Sequence, residues 1–396
     1  MTAPTAQHTT NPPADPHHST PSGRVRARGL GLPFTGTPGP YNALTDVPGV
    51  QVGLVTLVKG DGPLDTGHGP VRTGVTAILP RGRDGLGTSC AAGVHVLNGN
   101  GEMTGTAWIN ETGALATPVL LTNSHAVGAC HRGAIDWLNA VRPDLRDRWH
   151  MPVVAETYDG YLNDINGDHV TPAVARRALD AADGGRLEEG SVGGGTGMSC
   201  YGFKGGTGTA SRLIIHADTT YTVAVLVQAN FGARHELTLA GVPVGRHLRH
   251  DDPLGAAGAP VPSGAGSVIV TVATDAPLLP GQCAALARRV PLGLARSGTT
   301  GSHFSGDLFL AFSTANPSAL ASHYPAGHRA ERLDSLLFVP WGDMDRLFDA
   351  TVHCVEEAVA DALVANTPMT GRDGHHLPAL PHQQVIDLLR DHHAFD

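Results

Sequence analysis

The stretch Ser263-Gly264-Ala265-Gly266-Ser267-Val268-Ile269-Val270-Thr271-Val272-Ala273-Thr274-Asp275 changes character at Ser267. Upstream, residues 251–262 are rich in Gly, Ala and Pro, the composition of a loose linker. From Ser267 a β-branched run begins, which reads as a buried strand. Ser267 therefore sits where a pliable loop meets a rigid element. A nucleophile gains from that place, because the strand fixes it and the loop can be rearranged or cut. An ordinary loop-to-strand junction has the same pattern, since Ser is common in loops.

Working outward, the 396 residues suffice for two domains or one large layered domain with a sizeable core. The formal charge is −9 and the Lys and Arg are scattered, which argues against a nucleic-acid surface. No apolar stretch is long enough to span a membrane, and no apolar segment follows a basic start as a secretory signal would require. Cys90, Cys130, Cys200, Cys283 and Cys354 are odd in number, widely spaced and without a CxxC pair. Reduced, buried thiols in a cytoplasmic protein fit that usage. The 22 histidines lie mostly in loops and tails and show no HExxH spacing, so no metal is expected.

Residues 1–25, rich in Thr, Pro and His, read as a disordered tail. Strands are expected at 74–80, 90–97, 118–121, 151–155, 213–216, 222–228 and 308–313. Helices are expected at 128–141, 171–182, 344–365 and 383–389. A further helix should follow the Ser267 strand, capped by Thr274 or Asp275, with Leu286 and Val290 facing inward. The glycines of 193–197 lack the Gly-Lys-Ser/Thr ending of a phosphate loop and suit close backbone approach instead. This order suggests stacked sheets with helices outside.

Glu156, Asn230 and Ser267 fall at ends or starts of expected strands, and Ser305 and Asp307 stand just before another. Strand ends are rigid platforms for catalytic groups. Acyl transfer needs an activated hydroxyl, a proton acceptor and an oxyanion donor. Ser267 and Asn230 suit the first and last. His125 is the best histidine for a base, though it reads more readily as a hydrogen-bonded structural residue. Without a His base, a Ser can use its own α-amine, provided that the chain is cut just before it. In ordinary roles Ser305, Asp307 and Asn230 would be turn residues, Glu156 and Tyr158 a solvated strand end, and Trp108 core.

Several stretches now combine: RARGLGLPFTGTPGPYNALTDVPGV (26–50), NGNGEMTGTAWINETG (98–113), VVAETYDGYLNDINGDHV (153–170), GSVGGGTGMSCYGFKGGTGTASR (190–212), QANFGAR (228–234), GSVIVTVATDAPLLP (266–280) and SGDLFLAFSTAN (305–316). Together they resemble the L-aminopeptidase/D-esterase and β-peptidyl aminopeptidase family of self-cleaving serine peptidases, from about Arg26 to the end. The resemblance implies an α+β fold, a four-layer αββα sandwich like that of the N-terminal-nucleophile (Ntn) hydrolases but differently connected. It implies one catalytic domain over 26–396 and cleavage between Gly266 and Ser267, leaving an α chain of 1–266 and a β chain of 267–396. Ser267 would be the nucleophile. Ser305 and Asp307 match the Ser-Gly-acid motif that supports it, where some members carry the longer Glu. Asn230 would stabilise the oxyanion, Glu156 would bind the substrate's amino group and Tyr158 would line the site. The implied partners are small peptides, aminoacyl amides or esters and further copies of the chain, with no cofactor. Two other functions compete: acyl transfer, as in the similarly folded ornithine acetyltransferases, and an uncleaved, non-enzymatic homologue.

Overall fold

The computed structural model describes residues 15–255, 264–317, 319–321 and 333–394. Most of the expected linker, 256–263, lies outside the described residues, as do residues 1–14 of the expected tail. Residues 15–25 are not a free tail. Ser19 bridges Val25, Thr20 is buried, and the Ser22 hydroxyl and N–H both donate to Glu188.

Two mixed sheets face each other. The first holds β1 (Gln51–Lys59), β2 (Val71–Leu79), β5 (Val119–Asn123) and β6 (Val153–Thr157), in the order β1-β2-β5-β6. The second holds β3 (Cys90–Gly99), β4 (Ala114–Leu115), β7 (Gly206–His216), β8 (Thr219–Asn230), β9 (Gly266–Thr274) and β10 (Ser305–Ser313), in the order β4-β3-β10-β9-β8-β7. Only β5·β6 and β9·β10 run parallel.

The period-two alternation of strand side chains divides the core into three layers. Ile78, Leu121, Ala155, Leu226, Ile269 and Leu310 fill the space between the sheets. Val75, Ala77, Leu120 and Val154 point the other way, against α2 (Val127–Val141) and α3 (Pro172–Asp180). Val225, Val227, Val268, Val270 and Phe309 point away from the second sheet, toward α4 (Pro280–Ala287), α5 (Val290–Arg296) and α6 (Asp345–Val364). A helix layer on each outer face completes the αββα sandwich. Strands β2 and β10 are buried along their whole length, and β9 in all but Gly266, so even polar residues such as Arg72 and Asp307 are buried and no solvated polar face alternates with the apolar one.

Several expectations need correction. The helix after β9 starts at Pro280 and breaks at Arg288–Arg289 into α4 and α5. Thr274 and Asp275 cap neither piece. Asp275 instead accepts the Thr222 N–H at 2.7 Å, tying the strand ends together. Ser305 and Asp307 lie inside β10, because its register with β9 begins at Gly266↔Ser305. Three elements had no expectation at all: strands β1 and β4 and helix α1 (Thr106–Thr112).

Candidate active site

The site forms at one edge of the sandwich, where both sheets contribute. Asn230 ends β8 and is the direct register partner of Ser267, at the start of the antiparallel β9. Glu156 stands near the end of β6. These three and Tyr158 line one cavity of about 500 Å³, together with Ser124 and Tyr161. Among the described residues no histidine, lysine or arginine lines it. His125 turns elsewhere, with its Nδ1 at 2.8 Å from Asn166 Oδ1.

Gly266 has a packing reason to be glycine. A Cβ there would sit 1.9 Å from the Asn230 carbonyl oxygen. Its φ is not left-handed. The residue with that conformation is Gly264, at φ +78°, which glycine adopts without steric cost.

Glu156 is buried, which pushes its carboxyl above the ordinary range. Two donors work against that rise. The Ser124 hydroxyl donates to Oε2, and the Glu102 N–H donates to Oε1 at 2.9 Å. Held by these two donors, Glu156 lines the cavity as a fixed carboxyl group. Asn230 is equally fixed. Its Oδ1 accepts the Ser199 N–H at 2.8 Å, and its Nδ2 donates to the Tyr158 carbonyl at 3.0 Å. An amide nitrogen has two hydrogens, so one donor remains for the cavity.

Ser305 and Asp307 are close by but do not line that cavity. Asp307 is level with Val268 and Leu308 with Ile269. Val268 faces the outer helices and Ile269 the inter-sheet space, so the Ser305–Asp307 pair lies on the sheet face opposite the Ser267 side chain. The short Asp side chain reaches its partner: Ser305 Oγ donates to Oδ1 at 2.6 Å, and Asn98 Nδ2 donates to Oδ2 at 2.8 Å. Burial raises the Asp307 carboxyl, and these donors pull it back. From that face the pair can approach Ser267 only through its backbone nitrogen, which lies in the sheet plane.

Trp108 belongs to a different cavity, of about 380 Å³, with Leu115, Leu138 and Met151. Ser124, Asn98 and Ser199 went unrecognised in the sequence. Each matters through a partner 31 to 209 residues away, and no local signal announces such a pairing.

The family model for peptidase family S58 matches residues 42–377. The chain belongs to peptidase family S58. It is 47% identical over 373 residues to the β-peptidyl aminopeptidase BapA of Sphingosinicella microcystinivorans, covering 92% of each chain. Among solved structures, it is similar to the L-aminopeptidase D-Ala-esterase/amidase of Ochrobactrum anthropi, a variant of the Ntn-hydrolase fold. That match has a TM-score of 0.86 and 45% identity over 94% of this chain and 99% of the other. A β-aminopeptidase of Burkholderia sp. matches with a TM-score of 0.83 and 47% identity, over 93% and 99%. This S58 chain is thus a hydrolase of the serine aminopeptidase type, built on an Ntn-hydrolase-like α+β sandwich.

Proposed function

We propose that this chain cuts its own Gly266–Ser267 bond and then uses Ser267 to release N-terminal residues from small peptides, amides and esters. The observation that carries the proposal is the register pairing of Ser267 with Asn230, both opening onto the cavity that holds the Glu156 carboxylate. In activation, Ser267 Oγ attacks the Gly266 carbonyl carbon. The C–N bond breaks as the nitrogen takes a proton, and water hydrolyses the resulting ester. The freed α-amine has an ordinary pKa of about 7.7–8.0, suited to a general base near neutrality.

In turnover, that amine takes the Oγ proton as Oγ attacks the substrate carbonyl. Asn230 donates its remaining N–H to the oxyanion, and the proton then passes to the leaving amine. Water repeats the sequence on the acyl-enzyme. Glu156 binds the substrate's ammonium by a charge-assisted hydrogen bond, which restricts action to free N-termini, and Tyr158 walls the site. The Ser305–Asp307 pair supports the α-amine from the opposite sheet face. The relatives named for β-aminopeptidase activity make β-aminoacyl substrates the first to try.

Five free, buried cysteines suit a reducing compartment, the cytoplasm. Exposed apolar side chains such as Trp149, Leu337 and Trp341 suit contacts between copies in a homo-oligomer. Among the described residues no helix is long and apolar enough to cross a membrane.

The test is a panel of α- and β-aminoacyl p-nitroanilides beside their N-acetylated forms. Release from the free amines alone is expected. Equal rates on the acetylated forms would overturn the role of Glu156.

A further inference from the structure

One buried cation has no part in the chemistry above. Lys204 is fully buried, and among the described residues its ammonium donates to carbonyls and to no carboxylate. Its Nζ donates to the Met198 carbonyl at 2.8 Å and to the Gly205 carbonyl at 2.7 Å. Burying a cation without a hydrogen-bonded anion is costly, so the place where its field is directed matters. Lys204 pairs with Ser199 across a two-stranded hairpin, Ser199–Cys200 against Phe203–Lys204.

The Met198 carbonyl that receives Lys204 belongs to the same peptide group as the Ser199 N–H. That N–H donates to Asn230 Oδ1 at 2.8 Å. A continuous chain therefore runs from Lys204 Nζ through one peptide unit to the Asn230 side chain. The chain has two effects. A backbone N–H can only donate, so it fixes the amide with Oδ1 toward Ser199 and Nδ2 toward Tyr158 and the cavity. A charge-assisted bond at the carbonyl end also polarises the peptide, and polarisation passes along linked hydrogen bonds.

We propose that Lys204 is a positioning residue for Asn230, acting through the Met198–Ser199 peptide to orient and polarise the amide that receives the oxyanion. The inference rests on Asn230 as oxyanion donor. Burial pushes the Lys204 amine down to about 7, against the opposing pull of Cys200 and Asp159 and with a smaller push from Arg24. The charged form has three donors and the neutral form two, so either can serve both carbonyls.

The test is a double-mutant cycle on an aminoacyl p-nitroanilide, using Lys204→Met, Asn230→Ala and the pair. Rates are counted per Ser267 N-terminus. Removing one oxyanion donor outright costs roughly 10²–10³ in kcat, and weakening its alignment is expected to cost about tenfold with KM within about twofold. In the Asn230→Ala background, Lys204→Met should cost almost nothing further. Lys204→Gln, which keeps a donor without the charge, should recover part of the loss.

Independent, multiplying losses in an impaired Asn230→Ala enzyme would overturn the proposal alone. Wild-type kcat in Asn230→Ala itself would overturn the oxyanion role and the proposal with it. Should Lys204→Met not fold, Lys204→Gln carries the same cycle. If neither accumulates as folded protein, Lys204 serves folding and the proposal falls.

Discussion

At the residue scale, the proposed ammonium site makes the ionisation of the Glu156 carboxylate the first thing to measure. Burial raises it, while Ser124 and the Glu102 N–H lower it. Turnover needs the Ser267 amine unprotonated and, to bind an ammonium, Glu156 charged, so as pH falls kcat/KM declines first through the amine pKa and then along a second, steeper acid limb through the Glu156 pKa. That acid limb should lie above the ordinary Glu value of about 4.3. Ser124→Ala removes one donor and leaves the burial, so the limb should move to higher pH. A pH profile of kcat/KM that matches wild type would remove Ser124 from this role. Asp159, fully buried behind the site, offers a stability counterpart. Burial pushes it up to about 7, with Oδ2 left unpartnered among the described residues. Its folded pKa exceeds its unfolded one, so the folded state holds the proton more tightly. Stability is therefore greatest below the unfolded value of about 3.9, falls as pH rises toward 7 and is level above. Asp159→Asn should raise the melting temperature more at pH 8 than at pH 5, with a gain of at most about 4 kcal/mol. An equal change at both pH values would contradict this.

At the element scale, α6 approaches the second sheet where β7 has no side chain. A Cβ on Gly208 would lie 1.9 Å from the Ala358 carbonyl oxygen of α6. Gly208→Ala should therefore cost about 3 kcal/mol through overpacking, read as a lower denaturant midpoint. This closeness also explains which strands the sequence disclosed. Strand β9 and the end of β2, Ala77-Ile78-Leu79, carry apolar runs because helices and the facing sheet cover both their sides. The first half of β7, Gly206-Thr207-Gly208-Thr209-Ala210-Ser211, consists of small residues because a helix lies on it. Read alone, those residues suggest a loop. The site was legible in the same uneven way. Glu156, Asn230 and Ser267 stood out because polar groups end apolar strands. Ser305 and Asp307 were legible as a motif. Their sheet face was not, since it depends on the register with β9, and Lys204 had no local mark at all.

At the scale of the whole molecule, a buried ionic network joins the early chain to α6. Arg26 meets Glu189 at 2.8 Å and Asp361 at 2.9 Å, and Glu357 takes both Arg28 and Arg212 at 2.6 Å. Glu357 lies in the second half of α6. It is fully buried, and its two guanidinium partners outweigh burial and hold its carboxyl below the usual range. Glu357→Ala strands two arginines and should cost about 3–5 kcal/mol, measurable as a fall in the chemical-denaturation midpoint. The network and the second sheet both span residues 266 and 267: β3, β4, β7 and β8 precede the bond, whereas β9 lies almost wholly beyond it and β10 and α6 follow. Two chains separated there should stay together until denatured.

The most direct measurement is therefore a denaturing gel of the purified protein with N-terminal sequencing of its bands. The account predicts two polypeptides, the smaller beginning Ser-Val-Ile-Val at Ser267, and one uncut chain of 41.0 kDa for Ser267→Ala. A fully active wild-type enzyme that runs as a single 41.0 kDa band would contradict it.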